Sequence, residues 1–380
     1  MAQEHHKETK DRWEFARGVG SILALAVASR ILVILAARFA ERHLALDATY
    51  PVSSVATSGW LRWDATWYLS LATHGYTSEV QTAFFPLYPI LASLLARSTS
   101  ISPDTALLVV SNVSFVLTCI LLYNLVRREL DTDAAFISVA SLCFFPTTVF
   151  LSAGYTESFF LLLAVAMFCF LQTGKLGPAA VVAGLASATR PVGWLLAIPV
   201  LVEACKTRNG LSWKTLQRHI LLGLVSLWGL IAYMVYLGMR FGDPVLFLKA
   251  WHKWDSRPIE SLRTYLPWNV ISSVLNSDSR EVAVNSVFFL WFVFMICLTA
   301  FKLPARYTAF ALSLAMLIYV RGPYTLFAGT GRHLLSAVPL YLSIGVLLRH
   351  RHGYALAIIS LFAGLSVFWT ALYFQGYPIR

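Results

Sequence analysis

The residues best suited to catalysis lie in one short stretch, where a single carboxylate stands among aromatic side chains. Asp64 follows Trp63 and precedes Trp67 and Tyr68 in the sequence RWDATWYLSLATHGY, residues 62–76. Aromatic rings bind the faces of sugars, and they partly dehydrate a neighbouring carboxylate, which raises its pKa and suits it to general-base catalysis. The alternative is an aromatic belt at a membrane surface, with Asp64 capping a short helix.

A second acid lies in the segment GYTES, residues 154–158. Glu157 is placed to hydrogen-bond a sugar hydroxyl or to orient an arginine of a neighbouring loop. An acid at a helix N-terminus is also stabilised by the helix dipole, so Glu157 has a purely structural explanation as well.

Two basic segments are candidates for binding a phosphate group. Arg190 lies in the turn ATRPVG, residues 188–193, and an arginine there can hold a phosphate through two hydrogen bonds. Arg332 and His333 lie in GTGRHLLSAVPLYL, residues 329–342, where a helix N-terminus, an arginine and a histidine can share one anion. Basic side chains also occur at membrane interfaces simply because their heads reach the water, and this alternative stays open for both segments.

The composition is that of a protein with many membrane-spanning helices. Hydrophobic residues make up 58% of the chain, charged residues only 13%, and the mean hydropathy is +0.66. Soluble domains carry about 25% charged residues. Apolar runs of about 20 residues, long enough to cross a bilayer, recur from residue 18 to residue 374. A large soluble protein is thereby excluded.

The net charge of +11 does not indicate a nucleic-acid partner, because the basic residues lie mostly in short loops between apolar runs. The five cysteines contain no C-x-x-C pair and are expected to be buried apolar residues.

Arg30, midway through the first apolar run, is unusual and needs a partner carboxylate or a cavity. The stretch FLKAWHKWDSR, residues 247–257, predicts an amphipathic helix on anionic headgroups or a flank of a substrate groove.

We predict about eleven membrane segments, two of them short, with two further helices lying in the outer interface. The interfacial helices are expected over residues 64–74 and 86–97. The run 178–205 is either one long tilted helix or two half-length helices that meet at the Arg-Pro turn. The other spans are expected at residues 18–40, 104–126, 134–152, 157–172, 219–240, 283–301, 307–321, 333–348 and 354–374.

The positive-inside rule orients these segments. It places on the cytosolic side the basic residues Arg127, Arg128, Lys175, those of 206–218, Lys302, Arg306, Arg349 and Arg351. The outer segments are then residues 41–103, 153–156, the turn at Arg190, 241–282 and 321–332. All of the candidate acids and phosphate-binding cations fall on this one face, which suits a reaction between a lipid-linked phosphate and an activated hydroxyl.

At RWDATWYLSLATHGY, followed by AFFPLYP at residues 83–89, the chain resembles the GPI mannosyltransferase II (PIG-V-like) family of GT-C glycosyltransferases. The Tyr-x-Glu of GYTES and the Thr-Arg of ATRPVG resemble family segments and come in the same order. The likeness spans roughly residues 15–200. It implies a GT-C fold with a conserved module over residues 1–205, containing the first outer loop (41–103), and a variable module over residues 206–380.

The resemblance implies that Asp64 is the catalytic base or acceptor anchor. Arg190, Arg332 and His333 are the expected ligands of the donor phosphate. The residues expected to line the sugar and acceptor pocket are Arg62, Trp63, Trp67, Tyr68, His74 and Glu157. Because this chain has one acid where many relatives have two, we predict no metal ion and no other cofactor.

The implied activity is the inverting transfer of a sugar, with mannose the expected one, from a polyprenyl-phosphate donor to the hydroxyl of a glycolipid or glycan. The enzyme would be integral to a bacterial plasma membrane or the ER membrane, with its active site on the extracytoplasmic or luminal side. Two alternatives remain: a related enzyme for another lipid-linked sugar or for protein O-glycosylation, and a lipid or solute transporter.

Overall fold

The computed structural model describes residues 2–45, 59–206, 212–252, 262–325 and 327–377, and within those ranges the chain is helical with no β-strand. The predicted all-α architecture is confirmed. Residues 207–211, and residues 253–257 of the basic-aromatic stretch, lie outside the described residues.

The residues that the structure describes in the first half of the chain form eight α-helices. The longest internal helix begins with a proline, which suits the first helical position. Its last turn carries Arg127 and Arg128, whose positive charges interact favourably with the helix dipole. The helices are α1 (Ala2–His43), α2 (Asp64–His74), α3 (Leu87–Thr99), α4 (Pro103–Glu129), α5 (Thr132–Cys143), α6 (Glu157–Gln172), α7 (Leu176–Ser187) and α8 (Ala197–Lys206).

The second half forms nine more. They are α9 (Trp213–Ser226), α10 (Trp228–Phe241), α11 (Leu246–His252), α12 (Pro267–Leu275), α13 (Arg280–Lys302), α14 (Ala305–Thr325), α15 (Thr330–His333), α16 (Val338–Leu348) and α17 (His352–Gln375). Short 3₁₀ turns connect several of these helices, at Glu79–Ala83, Thr148–Leu151, Pro191–Leu196, Leu262–Tyr265 and Leu334–Ser336.

Among the described residues, four helices are long and apolar enough to cross a membrane: the Gly18–His43 part of α1, and α4, α13 and α17. The number rises to six if the bent pairs α9–α10 and Thr330–Ser336 with α16 each count as one span. These pairs bend by 60° and 83°. The protein is an integral membrane protein, but the predicted count of about eleven segments is not confirmed.

Three predicted spans differ from single helices in the structure. The spans 219–240 and 333–348 are each interrupted by a bend, the first between α9 and α10 and the second before α16. Residues 134–152 were expected to form a single helix, but α5 ends at Cys143 and a 3₁₀ turn occupies Thr148–Leu151. The reason is Pro146, which has no amide hydrogen and disfavours helical geometry in the residue before it.

Of the two alternatives for residues 178–205, the broken helix is confirmed. Helix α7 ends at Ser187, Arg190 is extended (φ −149°, ψ 151°), and Pro191 begins a 3₁₀ turn that leads into α8. The helices 64–74 and 87–99 are also present close to their predicted bounds.

Helix α4 lies at the centre of the bundle and packs against α1, α3, α5 and α6. The second half of the chain closes around this group, since α17 packs on α1, α16 on α5, and α14 on α8. The outer faces of the long helices stay apolar and unpartnered, as a surface in contact with lipid requires. Examples of exposed side chains are Val27, Leu35, Phe39, Leu290, Phe294, Phe301, Leu361 and Phe368.

Arg30 in α1 is stabilised without a carboxylate. Its guanidinium donates to the backbone oxygens of Cys143 (3.1 Å) and Thr148 (3.2 Å), and to the hydroxyls of Thr148 (2.6 Å) and Ser152 (2.9 Å). It also lies 4.1 Å from the centre of the Phe115 ring. The break between α5 and the following 3₁₀ turn exposes the carbonyl groups that accept these bonds.

Candidate active site

Asp64 is the first residue of α2, and it does not cap that helix. The N-cap position belongs to Trp63, whose φ of 56° and ψ of −120° are rare for a residue with a side chain. This turn leaves the Asp64 carboxylate about one-third exposed and directs it to Arg332, whose Nη1 donates to Oδ2 at 2.6 Å. The capping alternative is therefore wrong.

Arg332 lies between two carboxylates. Its Nη1 pairs with Asp64, and its Nε donates to Oε1 of Glu157. The guanidinium rests on two aromatic rings, with its central carbon 5.1 Å from the Phe150 centroid and 4.6 Å from that of Tyr155. Cation–π contact of this kind adds to the ion pairs in holding the cation in one place.

Glu157 joins Arg332 to Arg190. Its side chain is fully buried at the start of α6, and Nη1 of Arg190 lies 2.8 Å from Oε1. The four side chains form an alternating series, Asp64–Arg332–Glu157–Arg190, which we call the ionic chain. Two formal negative charges balance two positive ones. Burial of this many charges is tolerable only because each is paired with an opposite one.

Local backbone geometry positions Arg332. Helix α15 follows Gly329, whose φ of 74° is easily adopted by glycine. The next turn is held on both sides, because Thr147 donates its hydroxyl to the Gly331 oxygen at 2.8 Å and the Gly331 amide donates to Asn285 at 3.4 Å. Arg332 is thus fixed by α13 and by the segment after α5.

His333 lies beside the ionic chain but pairs with a different residue. Nη1 of Arg321 lies 3.2 Å from Nε2 of His333, and the Arg321 guanidinium stacks 4.3 Å from the Trp251 ring centre. Arginine can only donate, so Nε2 must accept and the imidazole is neutral with its proton on Nδ1. In this arrangement His333 does not add a second positive charge to Arg332.

The aromatic residues around Asp64 form a packed wall. Trp67 stacks on Phe84 at 5.7 Å between centroids, and Tyr68 meets both Phe84 and Tyr88 edge to face at 5.4 Å. Burial, and then the neighbouring Asp64 carboxylate, raise the pKa of the Tyr68 hydroxyl above its usual value. Tyr68 is therefore a neutral hydrogen-bonding group next to the candidate base.

Arg62 and His74 are placed differently from the other predicted site residues. Arg62 is buried with its guanidinium 6.0 Å from the Phe374 ring centre, and its backbone oxygen accepts from the Tyr155 hydroxyl at 2.8 Å. Burial lowers the pKa of Arg62. His74 is exposed at the last position of α2, ten residues and about 15 Å along the helix from Asp64.

Sequence reasoning missed Arg321 and Tyr155. Arg321 could have been found in the sequence, because it is a basic residue at the boundary between the predicted span 307–321 and the predicted outer segment 321–332. Tyr155 stood in the GYTES motif but was not singled out. Among the residues that the structure describes, no group of three or more His, Cys, Asp and Glu side chains is arranged to hold a metal ion. The absence of a metal stays a prediction.

Residues 44–230 match the family model described as mannosyltransferase (PIG-V). This segment, slightly less than half of the chain, is similar to the mannosyltransferase (PIG-V) family. The family expected from the motifs around Asp64, Glu157 and Arg190 is confirmed, and the PIG-V segment contains all three of these residues. Arg332, the fourth member of the ionic chain, lies beyond it.

The chain is also similar to proteins named GPI mannosyltransferases. The chain is 30% identical over 165 residues to GPI mannosyltransferase 2 of Drosophila melanogaster, which is 37% of each protein. It is 29% identical over 219 residues to GPI alpha-1,6-mannosyltransferase 2 of Cricetulus griseus, covering 50% of this chain and 44% of that protein. The match therefore spans less than half the length of these relatives.

Solved structures show only a distant likeness. The oligosaccharyltransferase of Archaeoglobus fulgidus, in complex with zinc and sulfate, has a TM-score of 0.45 at 15% identity, covering 91% of this chain and 52% of that one. ArnT from Cupriavidus metallidurans bound to undecaprenyl phosphate has a TM-score of 0.45 at 12% identity, covering 94% and 76%.

Proposed function

We propose that the protein is an inverting GT-C glycosyltransferase. It transfers a sugar, with mannose as the expected one, from a polyprenyl-phosphate donor to a hydroxyl of a glycolipid or glycan at the extracytoplasmic or luminal face. The observation that carries this proposal is the ionic chain. It puts the candidate base Asp64, which lies within the segment that matches the mannosyltransferase (PIG-V) family, in direct contact with the candidate phosphate ligand Arg332.

In the proposed reaction Asp64 removes the proton of the acceptor hydroxyl. The acceptor oxygen attacks C1 of the sugar from the side opposite the phosphate. The bond between C1 and the phosphate oxygen breaks, and its electron pair stays on the polyprenyl phosphate. The new glycosidic bond replaces the bond between C1 and the phosphate oxygen, and the configuration at C1 is inverted. The proton ends on Asp64.

The arginines supply positive charge where negative charge develops on the departing phosphate. Arg332 is the nearer of the two to the base, since Nη1 is 2.6 Å from the Asp64 carboxylate. Arg190 reaches the same region through Glu157, which positions both guanidinium groups. Trp63, Trp67 and Tyr68, close to Asp64 in the sequence, pack in or against the apolar core and offer aromatic surface of the kind that a sugar ring requires.

The proposal is tested with purified protein and a panel of polyprenyl-phosphate sugars. The wild type is expected to transfer mannose to a glycolipid or glycan acceptor. Asp64→Asn should lower kcat by about 100-fold or more, because general-base catalysis contributes at least this factor. The variant should retain its thermal stability, since the amide oxygen still accepts from Arg332.

Asp133→Asn is the matched control. Asp133 is exposed in the first turn of α5, and its carboxylate lies 3.9 Å from Nδ1 of His350, so its loss should leave transfer unchanged. Full activity of Asp64→Asn would exclude Asp64 as the base. No transfer from any donor in the panel would refute the proposed function.

A further inference from the structure

The open end of the ionic chain is the pair formed by Asp64 and Arg332. The Asp64 side chain is 34% exposed and that of Arg332 is 17% exposed, whereas Glu157 is fully buried and Arg190 is 7% exposed. A ligand that approaches from outside therefore meets Asp64 and Arg332 first. Arg190 and Glu157 are the interior part that holds them.

Arg332 has two different kinds of attachment. Its Nε donates to the fully buried Glu157, and its ring contacts are with Phe150 and Tyr155 beneath it. Its Nη1 donates to the partly exposed Asp64. The first set anchors the guanidinium, whereas the second is the contact that an incoming anion can replace, because a phosphate oxygen fits the same donor.

We infer that Asp64 is an internal competitor of the donor phosphate at Arg332, so that phosphate binding frees the catalytic base. This inference rests on the proposed function, and it couples the binding of the donor phosphate by Arg332 to the removal of the acceptor's proton by Asp64. While Asp64 pairs with Arg332, its Oδ2 is occupied by the Arg332 hydrogen bond and is not available to an acceptor hydroxyl. When the phosphate takes Nη1, the carboxylate loses that partner and becomes free to accept the acceptor's proton.

The same competition drives product release. After transfer Asp64 carries the proton and is neutral, so it no longer competes for Arg332 and the polyprenyl phosphate stays bound. When the proton leaves to water, the carboxylate regains its charge and returns to Nη1. The phosphate is then displaced by a group of this chain, with Glu157 keeping Arg332 in place throughout.

The test is the binding of undecaprenyl phosphate, with no sugar and no acceptor, to the detergent-solubilised full chain. Asp64→Asn removes the competing charge while keeping the size of the side chain. It should bind undecaprenyl phosphate about fivefold more tightly than the wild type, the factor expected for loss of a partly exposed ion-pair competitor. The same variant is the one expected to lose transfer, so tighter binding and lost activity separate the two roles.

Glu79→Gln is the matched control. Glu79 is an exposed acid of the same outer segment, and this substitution removes the same charge as Asp64→Asn. Its affinity should equal that of the wild type. A double-mutant cycle adds Arg332→Gln: in that background Asp64→Asn should no longer tighten binding, since the shared donor is gone. If Arg332→Gln does not fold, the comparison of the two single variants still decides.

Unchanged or weaker binding by Asp64→Asn, in a protein whose wild type binds undecaprenyl phosphate and transfers sugar, overturns this inference and leaves the proposed function standing. An equal gain in Glu79→Gln also overturns it, because the effect would then be one of general surface charge. If the wild type and every variant fail to bind the lipid phosphate, the proposed donor is wrong and the inference falls with it.

Discussion

At the scale of single residues, charges inside the bundle are held by groups that are far away in the sequence. Arg30 is the clearest case. Its position within an apolar run indicated a need for a carboxylate or a cavity, but carbonyl and hydroxyl groups near the break after α5 accept its hydrogen bonds. A guanidinium has five N–H donors, and each of those left unpaired at this depth would be costly.

Replacing Arg30 should therefore destabilise the fold. Arg30→Met removes the donor to the Cys143 and Thr148 carbonyls and to the Thr148 and Ser152 hydroxyls, and we expect a loss of about 2–4 kcal/mol in the free energy of unfolding. Thermal unfolding in detergent measures the effect. Arg38→Met is the control, because Arg38 is on the same helix, 69% exposed, and makes only a 3.8 Å pair with Glu41. Equal stability of the two variants would show that the buried hydrogen bonds contribute nothing.

At the scale of elements, the helix that precedes Arg190 is positioned by close backbone contact. Helix α7 meets α10 at Gly184 and Gly229. A Cβ on Gly229 would lie 2.2 Å from the Gly184 oxygen, and one on Gly184 would lie 2.0 Å from the Trp228 ring. Small residues allow such approach in membrane proteins. This crossing supports the end of α7, from which the extended Arg190 reaches Glu157.

Gly229→Ala should push α10 away from α7 and destabilise the protein by about 1–3 kcal/mol, the range for overpacking a close contact. It should also weaken transfer, because Arg190 follows the end of α7. Gly238→Ala on the same helix is the control: its Cβ would find ordinary contacts at 3.7 Å or more, so it should be neutral or slightly stabilising. The measurements are unfolding curves and kcat, compared between Gly229→Ala and Gly238→Ala. A harmless Gly229→Ala would contradict the packing account.

At the scale of the whole molecule, two ionic clusters lie towards opposite ends of the bundle. Near the last residue of α4, Glu129 accepts from Arg306 at 2.5 Å and from Tyr307 at 3.0 Å, and Arg306 also reaches Glu203 at 3.3 Å. About 40 Å of helix separates Glu129 from the first residue of α4. This second cluster ties α4 and α8 to α14, and so joins the predicted modules 1–205 and 206–380, whose division stays a prediction.

The positive-inside rule predicts that the end with Asp64 faces outwards and the end with Arg306 faces the cytosol. A membrane-impermeant thiol reagent should label Glu79→Cys in intact cells. It should label the native, exposed Cys205 only after the membrane is permeabilised, because Cys205 adjoins the basic residues predicted to be cytosolic. Cys205→Ser identifies the labelled site. Labelling of Cys205 in intact cells would reverse the orientation.

Much of the local structure was predictable from the sequence, because it depends on neighbouring residues. Apolar runs, the Arg-Pro break before α8 and the two short helices of the first outer loop follow from composition, from proline geometry and from amphipathic spacing. The extent of the span beginning at residue 134 is predicted wrongly, because Pro146 prevents α5 from continuing to residue 152. The motifs around Asp64, Glu157 and Arg190 were sufficient to identify the family.

The pairing of these residues was decided only by the tertiary structure. Asp64 and Arg332 are separated by 268 positions, and no local pattern determines which of several basic residues will meet a given acid. Long-range packing of α15 against α13 sets the place of Arg332, and the same packing turns His333 towards Arg321. Charge types can be read along a chain, whereas the partner of each charge depends on distances that exist only once the helices have assembled.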